Sequence, residues 1–136
     1  LDLDQKDGQA SYNYKRTLQA KTLLDIIDSL YFDENIIVLG DFNAYSQEDP
    51  IQALQSTNLN RLETVNHSYV YKGKNGSLDH VFVSDDFKDH IDQVQTWNIN
   101  SIYPSWINYS HNPADSSYFR SSDHNPMVLG VNGHVK

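Results

Sequence analysis

The sequence predicts an α/β fold organised as a single domain. Its 136 residues fall within the usual size of one domain. A long segment has the apolar period of a helix, and short apolar or alternating segments bounded by turn residues follow it. With 38% hydrophobic and 21% charged residues, the composition excludes low-hydrophobicity disorder. No apolar stretch approaches the roughly 20 residues that cross a bilayer, so we expect a globular chain without membrane contact.

The first two predicted elements are a helix over residues 12–30 and a strand over residues 36–39. In the helix, Leu23, Ile27 and Leu30 recur at spacings of four and three, which places them on one stripe that we expect to cover a sheet. The strand is a continuous aliphatic run. Such a run is typical of a strand buried on both faces, so it predicts the centre of the sheet.

Shorter elements follow. Asp49 and Pro50 predict an N-cap and a first helical position, so a short helix is expected over residues 50–56. Segments 65–71 and 77–84 flank turn residues and predict a hairpin. For the rest of the chain, the sequence predicts a loop or short helix over residues 85–92 and an irregular loop over residues 103–117. It also predicts two strands, over residues 94–99 and 127–131.

The charge balance restricts how the chain can bind an anion. Ten Lys and Arg residues against eighteen Asp and Glu give a formal net charge of -8, which disfavours broad electrostatic attraction to nucleic acid. A phosphate ligand would need local help from a metal ion or a small basic patch. Lys72 and Lys74 in the hairpin turn can touch a nucleic-acid backbone, although lysines there usually only solvate a turn. The absence of Cys excludes disulfides, thiolate nucleophiles and Cys-ligated zinc.

Residues 40–43, Gly-Asp-Phe-Asn, are the first candidate site. They follow the predicted strand at its carboxyl end, where ligand sites gather in open α/β sheets. The Asp41 carboxylate and the Asn43 amide can point to the same side and orient a water or a metal, and the amide can donate a hydrogen bond to a phosphate oxygen. An equally weighted alternative is a turn in which these side chains cap their own backbone.

Two Asp-His dipeptides provide further candidates, one at residues 79–80 and one at residues 123–124. A histidine held by a carboxylate is fixed in tautomer and made more basic, which suits proton transfer at a phosphate. Neighbouring residues of a strand face opposite sides, so Asp79 and His80 cannot serve one pocket. We therefore predict that His80 is a packed or surface histidine.

The three motifs, in this order, resemble the carboxyl-terminal half of the endonuclease/exonuclease/phosphatase superfamily, which has the deoxyribonuclease-I-like fold. Further stretches look like the large secreted bacterial nucleases that degrade extracellular DNA; they are Gln9, residues 13–16, 19–20, 48–51, 97–100 and 120–124. The resemblance implies half of a four-layer αββα sandwich, with one mixed, largely antiparallel sheet and covering helices. Residues 1–136 would then be the carboxyl-terminal part of one domain whose amino-terminal half is absent.

The resemblance also implies a role for each matching residue. His124 is the base or acid at the scissile phosphate, and Asp79 orients it. Asp41 positions or deprotonates the attacking water, and Asn43 holds a phosphate oxygen as negative charge develops. Asp123 joins a divalent metal, Mg²⁺ or alternatively Ca²⁺ or Mn²⁺.

Arg120 is added by position only. A phosphate contact and a structural salt bridge are equally weighted for it. The family's main metal ligand, a Glu, belongs to the amino-terminal half, together with an Asn of the first strand and a further His. None of these can be located in this sequence, so we expect the isolated chain to be inactive.

The expected function is a metal-dependent phosphodiester hydrolase, foremost a secreted nuclease that cleaves DNA by water attack. One alternative is a lipid or inositol phosphate phosphodiesterase or phosphatase of the same fold. The other is a noncatalytic structural half that docks on another chain. The expected partners are DNA or another phosphodiester, and the missing amino-terminal half or a second chain against the apolar sheet face, with no membrane.

Overall fold

The computed structural model describes residues 3–31, 33–104, 106 and 119–133. Both α-helices lie in the first half of the chain, and short strands make up most of the regular structure after them. In chain order the elements are α1 (Asn13–Leu30), β1 (Ile37–Asp41), α2 (Asp49–Gln55), β2 (Leu59–Arg61), β3 (Tyr69–Tyr71), β4 (Lys74–Gly76), β5 (Asp79–Ser84), a 3-10 helix (Asp85–His90), β6 (Ile91–Thr96) and β7 (Met127–Val131).

The chain divides into two compact units. The first unit is formed by Leu1–Leu62 and Leu78–Asp89, and it contains both α-helices and strands β1, β2 and β5. The second unit is formed by Glu63–Ser77 and His90–Lys136, and it contains β3, β4, β6 and β7.

The first unit packs its helices on one face of a three-stranded antiparallel sheet in the order β1-β5-β2. Strand β5 lies in the centre of this sheet. Its Phe82 side chain is fully buried and belongs to the core. Apolar residues from both helices and the flanking segments complete this core; they are Ala20, Ala44, Ile51, Leu54 and Leu59.

The helices begin close to where the sequence predicts. Helix α1 starts one residue later than expected, after Tyr12 in a left-handed conformation with φ 61°. Helix α2 starts at Asp49, so Glu48 rather than Asp49 precedes the helix, and Pro50 lies in the first turn, where its missing N–H costs nothing.

The prediction of a central strand at residues 36–39 is wrong. Among the described strands, β1 forms the edge of its sheet, and Leu39 is 64% exposed. The strand buried on both faces is β5, where residues 80–83 are all buried. A continuous aliphatic run shows that both faces of the strand are apolar. Whether each face is buried depends on the neighbouring elements that cover it. The core contacts Ile36 and Val38, while Ile37 and Leu39 project from the opposite face.

The second unit contains two antiparallel pairs, β3-β4 and β6-β7. The β3-β4 hairpin has a two-residue turn in which Lys72 (φ 50°) and Gly73 (φ 77°) are both left-handed, as tight hairpins require. The prediction that segment 77–84 is the second strand of this hairpin is wrong. Residues 74–76 pair with β3, whereas β5 pairs with β1 and β2.

The coarse fold prediction is confirmed as a mixed α/β chain with antiparallel pairing. The predicted single sheet differs from the observed pairing, because the described strands form three small sheets. Strand β7 has the predicted bounds, β6 begins three residues earlier than predicted, and the 3-10 helix falls within segment 85–92. Most of the predicted loop 103–117 lies outside the described residues. None of the described helices combines the length and hydropathy that a membrane span needs.

Candidate active site

Two carboxylates face each other where β1 ends and β5 begins. Asp41 and Asp79 are direct cross-strand partners, so their side chains project from the same sheet face. One oxygen of each carboxylate lies within 4.8 Å of the other. By strand alternation this face is opposite the one that carries Phe82 and packs on the helices. Two close carboxylates repel each other and attract a cation, and their oxygens are the hard donors that Mg²⁺ and Ca²⁺ prefer.

Asn43 is held directly beside this pair by a turn. The Asp41 carboxylate accepts a hydrogen bond from the Asn43 backbone N–H at 2.8 Å and from the Asn43 side-chain amide at 3.2 Å. Asn43 has a φ of 48°, which asparagine tolerates better than most residues. The capping turn weighed as the alternative is therefore present. It leaves both side chains exposed, and the second amide hydrogen and further carboxylate lone pairs can serve a ligand.

The loop that carries Asn43 is anchored to α1 by a buried ion pair. Arg16 Nη1 lies 2.6 Å from Glu48 Oε2 and also donates to the Asn43 carbonyl oxygen at 2.9 Å. The Glu48 side chain is only 4% exposed, and its other oxygen accepts from the Tyr45 N–H at 3.2 Å. The same guanidinium donates to the Ala10 carbonyl oxygen at 3.1 Å. These bonds fix both ends of the loop between β1 and α2.

His80 is packed in the core, which is one of the two placements, packed or surface, that the sequence predicts for it. It is 2% exposed, its Nε2 lies 2.8 Å from the Ala44 carbonyl oxygen, and its ring lies near Phe42 and Phe82. A carbonyl oxygen can only accept, so Nε2 carries a proton. Strand alternation directs His80 toward the core and Asp79 to the opposite face.

His124 is held from its backbone and from one face of its ring. Its backbone N–H donates to Ser122 Oγ at 3.1 Å, and its carbonyl oxygen accepts from Asn100 Nδ2 at 2.7 Å. The Tyr69 ring lies 4.7 Å from the imidazole, centroid to centroid. Both Asp123 and His124 are half-buried.

Asn125 is a site-building residue that the sequence analysis missed. It is 2% exposed, and its Oδ1 accepts from the backbone N–H groups of Asn100 and Ser101, each at 2.9 Å. Its Nδ2 faces the His67 carbonyl oxygen, Asn98 Oδ1 and Ser101 Oγ at 2.7 to 2.9 Å. This amide therefore fixes the segment that follows His124. The available signals were its place within the third motif and the asparagines of residues 97–100.

Arg120 makes structural contacts. Its Nη1 donates to the carbonyl oxygens of Asn100 at 3.2 Å and Ser122 at 3.4 Å. Both acceptors belong to the backbone around His124, so the guanidinium supports this segment. Its predicted phosphate contact stays a prediction.

The structure brings the predicted residues together in two groups. Asp41, Asn43 and Asp79 meet at one end of the first unit's sheet. Asp123 and His124 lie in the segment that leads into β7 in the second unit. The predicted hydrogen bond between Asp79 and His124 joins residues of different units and stays a prediction.

Comparison with known families defines the class of protein. The model of the Endonuclease/Exonuclease/phosphatase family matches residues 10–124. This match spans most of the chain, so the chain belongs to that family. The family's description covers endonucleases, exonucleases and phosphatases, and its members typically use a divalent metal.

A solved structure gives independent support for the fold. The chain is similar to an endonuclease/exonuclease/phosphatase family protein from Bacteroides thetaiotaomicron, with a TM-score of 0.62 and 19% sequence identity. The similarity covers 86% of this chain and 44% of that protein, so the chain spans less than half the length of its structural relative. At this identity the comparison shows a shared fold. No curated protein matches the chain.

Replacing Glu48 with Gln is expected to lower the free energy of unfolding by about 2–4 kcal/mol, because the Arg16 charge stays buried without its counter-ion. Urea unfolding followed by circular dichroism measures this change. Asp25→Asn removes one negative charge from the exposed surface of α1 and should stay within about 0.5 kcal/mol of the parent. Equal effects of the two substitutions would contradict a special role for the ion pair.

Asn125→Asp keeps the side-chain shape but replaces the Nδ2 donors with a charged acceptor that faces the His67 carbonyl oxygen. We expect a loss of about 3 kcal/mol or more in the free energy of unfolding and displaced His124 imidazole resonances in NMR spectra. The matched control is Asn132→Asp, the same change at an exposed asparagine after β7. If both variants unfold at the same urea concentration, the Asn125 network does not support this segment.

Proposed function

We propose that this protein is a secreted bacterial nuclease that hydrolyses DNA phosphodiester bonds by water attack with a divalent metal. Family membership supports the hydrolase class. The observation that carries the proposal is the Asp41–Asp79 carboxylate pair with the Asn43 amide beside it. The choice of DNA, of a bacterial source and of secretion rests on the stretches that resemble extracellular nucleases.

In the proposed reaction, Asp41 orients the attacking water and takes its proton. The water oxygen forms a bond to phosphorus while the bond from phosphorus to the leaving sugar oxygen breaks. His124, oriented by Asp79, acts as the acid and donates a proton to that leaving oxygen. Asn43 keeps one amide hydrogen for a phosphate oxygen, because Asp41 accepts the other.

The donor set fits a hard divalent cation. Asp123 is the proposed ligand of Mg²⁺, Ca²⁺ or Mn²⁺, with the family's main ligand, a Glu, provided by the rest of the domain. The Asp41–Asp79 pair adds negative charge that favours a cation nearby. A cation bound there would neutralise part of the negative charge of the phosphate.

His124→Ala and Asp79→Asn test this function in the chain joined to the rest of the family domain. Each is expected to lower the rate of plasmid cleavage in Mg²⁺ by about 10²–10⁴-fold, the usual contribution of a positioned acid or base. His90→Gln serves as the control, since this histidine lies outside the three motifs, and EDTA should stop cleavage by the parent enzyme. Undiminished cleavage by His124→Ala would disprove the mechanism.

The same assays separate the alternatives. Faster hydrolysis of sphingomyelin or an inositol polyphosphate than of DNA would favour the lipid or inositol phosphate alternative. Absence of hydrolysis with every substrate, in a folded and complete domain containing Mg²⁺, would favour a noncatalytic half that docks on another chain.

We further propose that the rest of the family domain covers the outer edge of β1. Ile37 and Leu39 are exposed there, and with Ile26 and Tyr31 they line an open apolar groove of about 430 Å³. Among the described strands none pairs with this edge of β1, and an unpaired strand edge with apolar flanks favours an added strand. The length that this chain leaves unmatched in its structural relative supports that occupant.

For this reason the 136-residue chain alone is expected to self-associate, and light scattering should show particles larger than a monomer. The substitution Leu39→Asn should shift the population toward monomer by making the groove less apolar. A parent chain that stays dispersed and monomeric over the whole concentration series would contradict the proposal.

A further inference from the structure

The hairpin β3-β4 carries a row of rings that begins at His124. The Tyr69 ring lies 4.7 Å from the His124 ring, and the Tyr71 ring follows 6.5 Å beyond Tyr69 with only 17° between their planes. The Lys72 ammonium lies 5.2 Å from the centre of the Tyr71 ring. All four residues belong to the second unit. These side chains therefore form one strip, in the order His124, Tyr69, Tyr71 and Lys72.

The backbone explains why these side chains share a face. Tyr69 and Tyr71 are two residues apart in β3, so strand alternation directs them to the same side. The cross-strand partner of Tyr69 is Gly76 and that of Tyr71 is Lys74, and cross-strand partners lie on the same side of a hairpin. Gly76 adds no side chain and Lys74 adds a second cation. The tight turn fixes the register of the pair.

The strip is open to a ligand at its far end. Tyr71 is 53% exposed, and Tyr69 is half-buried against His124. Flat aromatic faces stack with nucleic-acid bases of any sequence, and lysines beside them contact phosphates. The chain as a whole has a net charge of -8, but the two lysines beside the two tyrosines make this place locally positive.

We propose that Tyr69, Tyr71, Lys72 and Lys74 form a subsite for a single-stranded segment of nucleic acid, which the subsite guides toward His124. The role of His124 in this proposal rests on the proposed function. The subsite itself rests on the geometry of the hairpin. Bases stack on the tyrosines, and the two lysines contact the adjoining phosphates.

The same geometry disfavours a lipid headgroup. A quaternary ammonium bound at the Tyr71 ring would lie close to the positively charged Lys72 ammonium, which is 5.2 Å from the ring centre. Two cations at one ring face repel each other, whereas an anionic strand is attracted to this position. An inositol phosphate has no flat aromatic face and gains nothing from stacking on the two rings.

The test is binding of a short fluorescein-labelled single-stranded DNA to the 136-residue chain in EDTA, measured by fluorescence anisotropy without catalysis. Tyr71→Ala is expected to weaken binding about tenfold, the usual effect of losing one base–aromatic stack, while Tyr71→Phe keeps the parent affinity. Lys72→Gln should reduce the slope of log K against log salt by about 0.7, the value for one phosphate contact on a single strand.

The controls are Tyr14→Ala and Lys15→Gln, matched changes on the exposed surface of α1, and both should bind DNA as the parent does. The proposal is overturned if the parent chain does not bind the oligonucleotide, or if Tyr71→Ala and Tyr14→Ala bind it equally. It is also overturned if only phosphatidylcholine vesicles, and not DNA, bind in a Tyr71-dependent way. Because this assay excludes catalysis, an active His124→Ala enzyme would disprove the proposed mechanism without affecting the subsite.

Discussion

The ion pair between Arg16 and Glu48 is the interaction on which the first unit's candidate site depends. One guanidinium reaches the Ala10 carbonyl, the Asn43 carbonyl and the Glu48 carboxylate, so helix α1 holds both the segment before it and the loop after β1. Burying two charges is costly, and the cost is offset only when most of their hydrogen-bonding groups have partners. Here the backbone supplies those partners, so the charges fix the path of the loop.

Sheet register determines which functional groups meet on this scaffold. Asp41 and Asp79 are neighbours only because β1 and β5 pair in the observed antiparallel register. A slip of one residue would bring His80 to the outer face and direct Asp79 into the helical core. The buried hydrogen bond between His80 Nε2 and the Ala44 carbonyl oxygen opposes such a slip, because the bond would be lost when the ring moves to the outer face. Packing on one face therefore sets the chemistry on the other.

The sequence predicted the features that depend on local pattern. The period of α1 and the bounds of β7 each follow from spacing within a short segment, and so does the prediction that Asp79 and His80 point to opposite sides of their strand. The burial of β1 was mispredicted because its neighbours, not its own apolar residues, decide which strand is central. The hairpin was misassigned because the turn is only two residues, Lys72 and Gly73, and β5 pairs with distant strands. The Asn125 network joins segments far apart in the chain, and the spacing within each segment does not show which of them meet.

The carboxylate pair lies on the sheet face that the helical core does not use. Asp41 and Asp79 repel each other there, and neither packs in the core of Phe82 and the helices. This repulsion is an electrostatic cost that a cation bound beside the pair would lower. A neutral residue at either position would remove the repulsion, and with it the negative charge that favours a cation at this strand end.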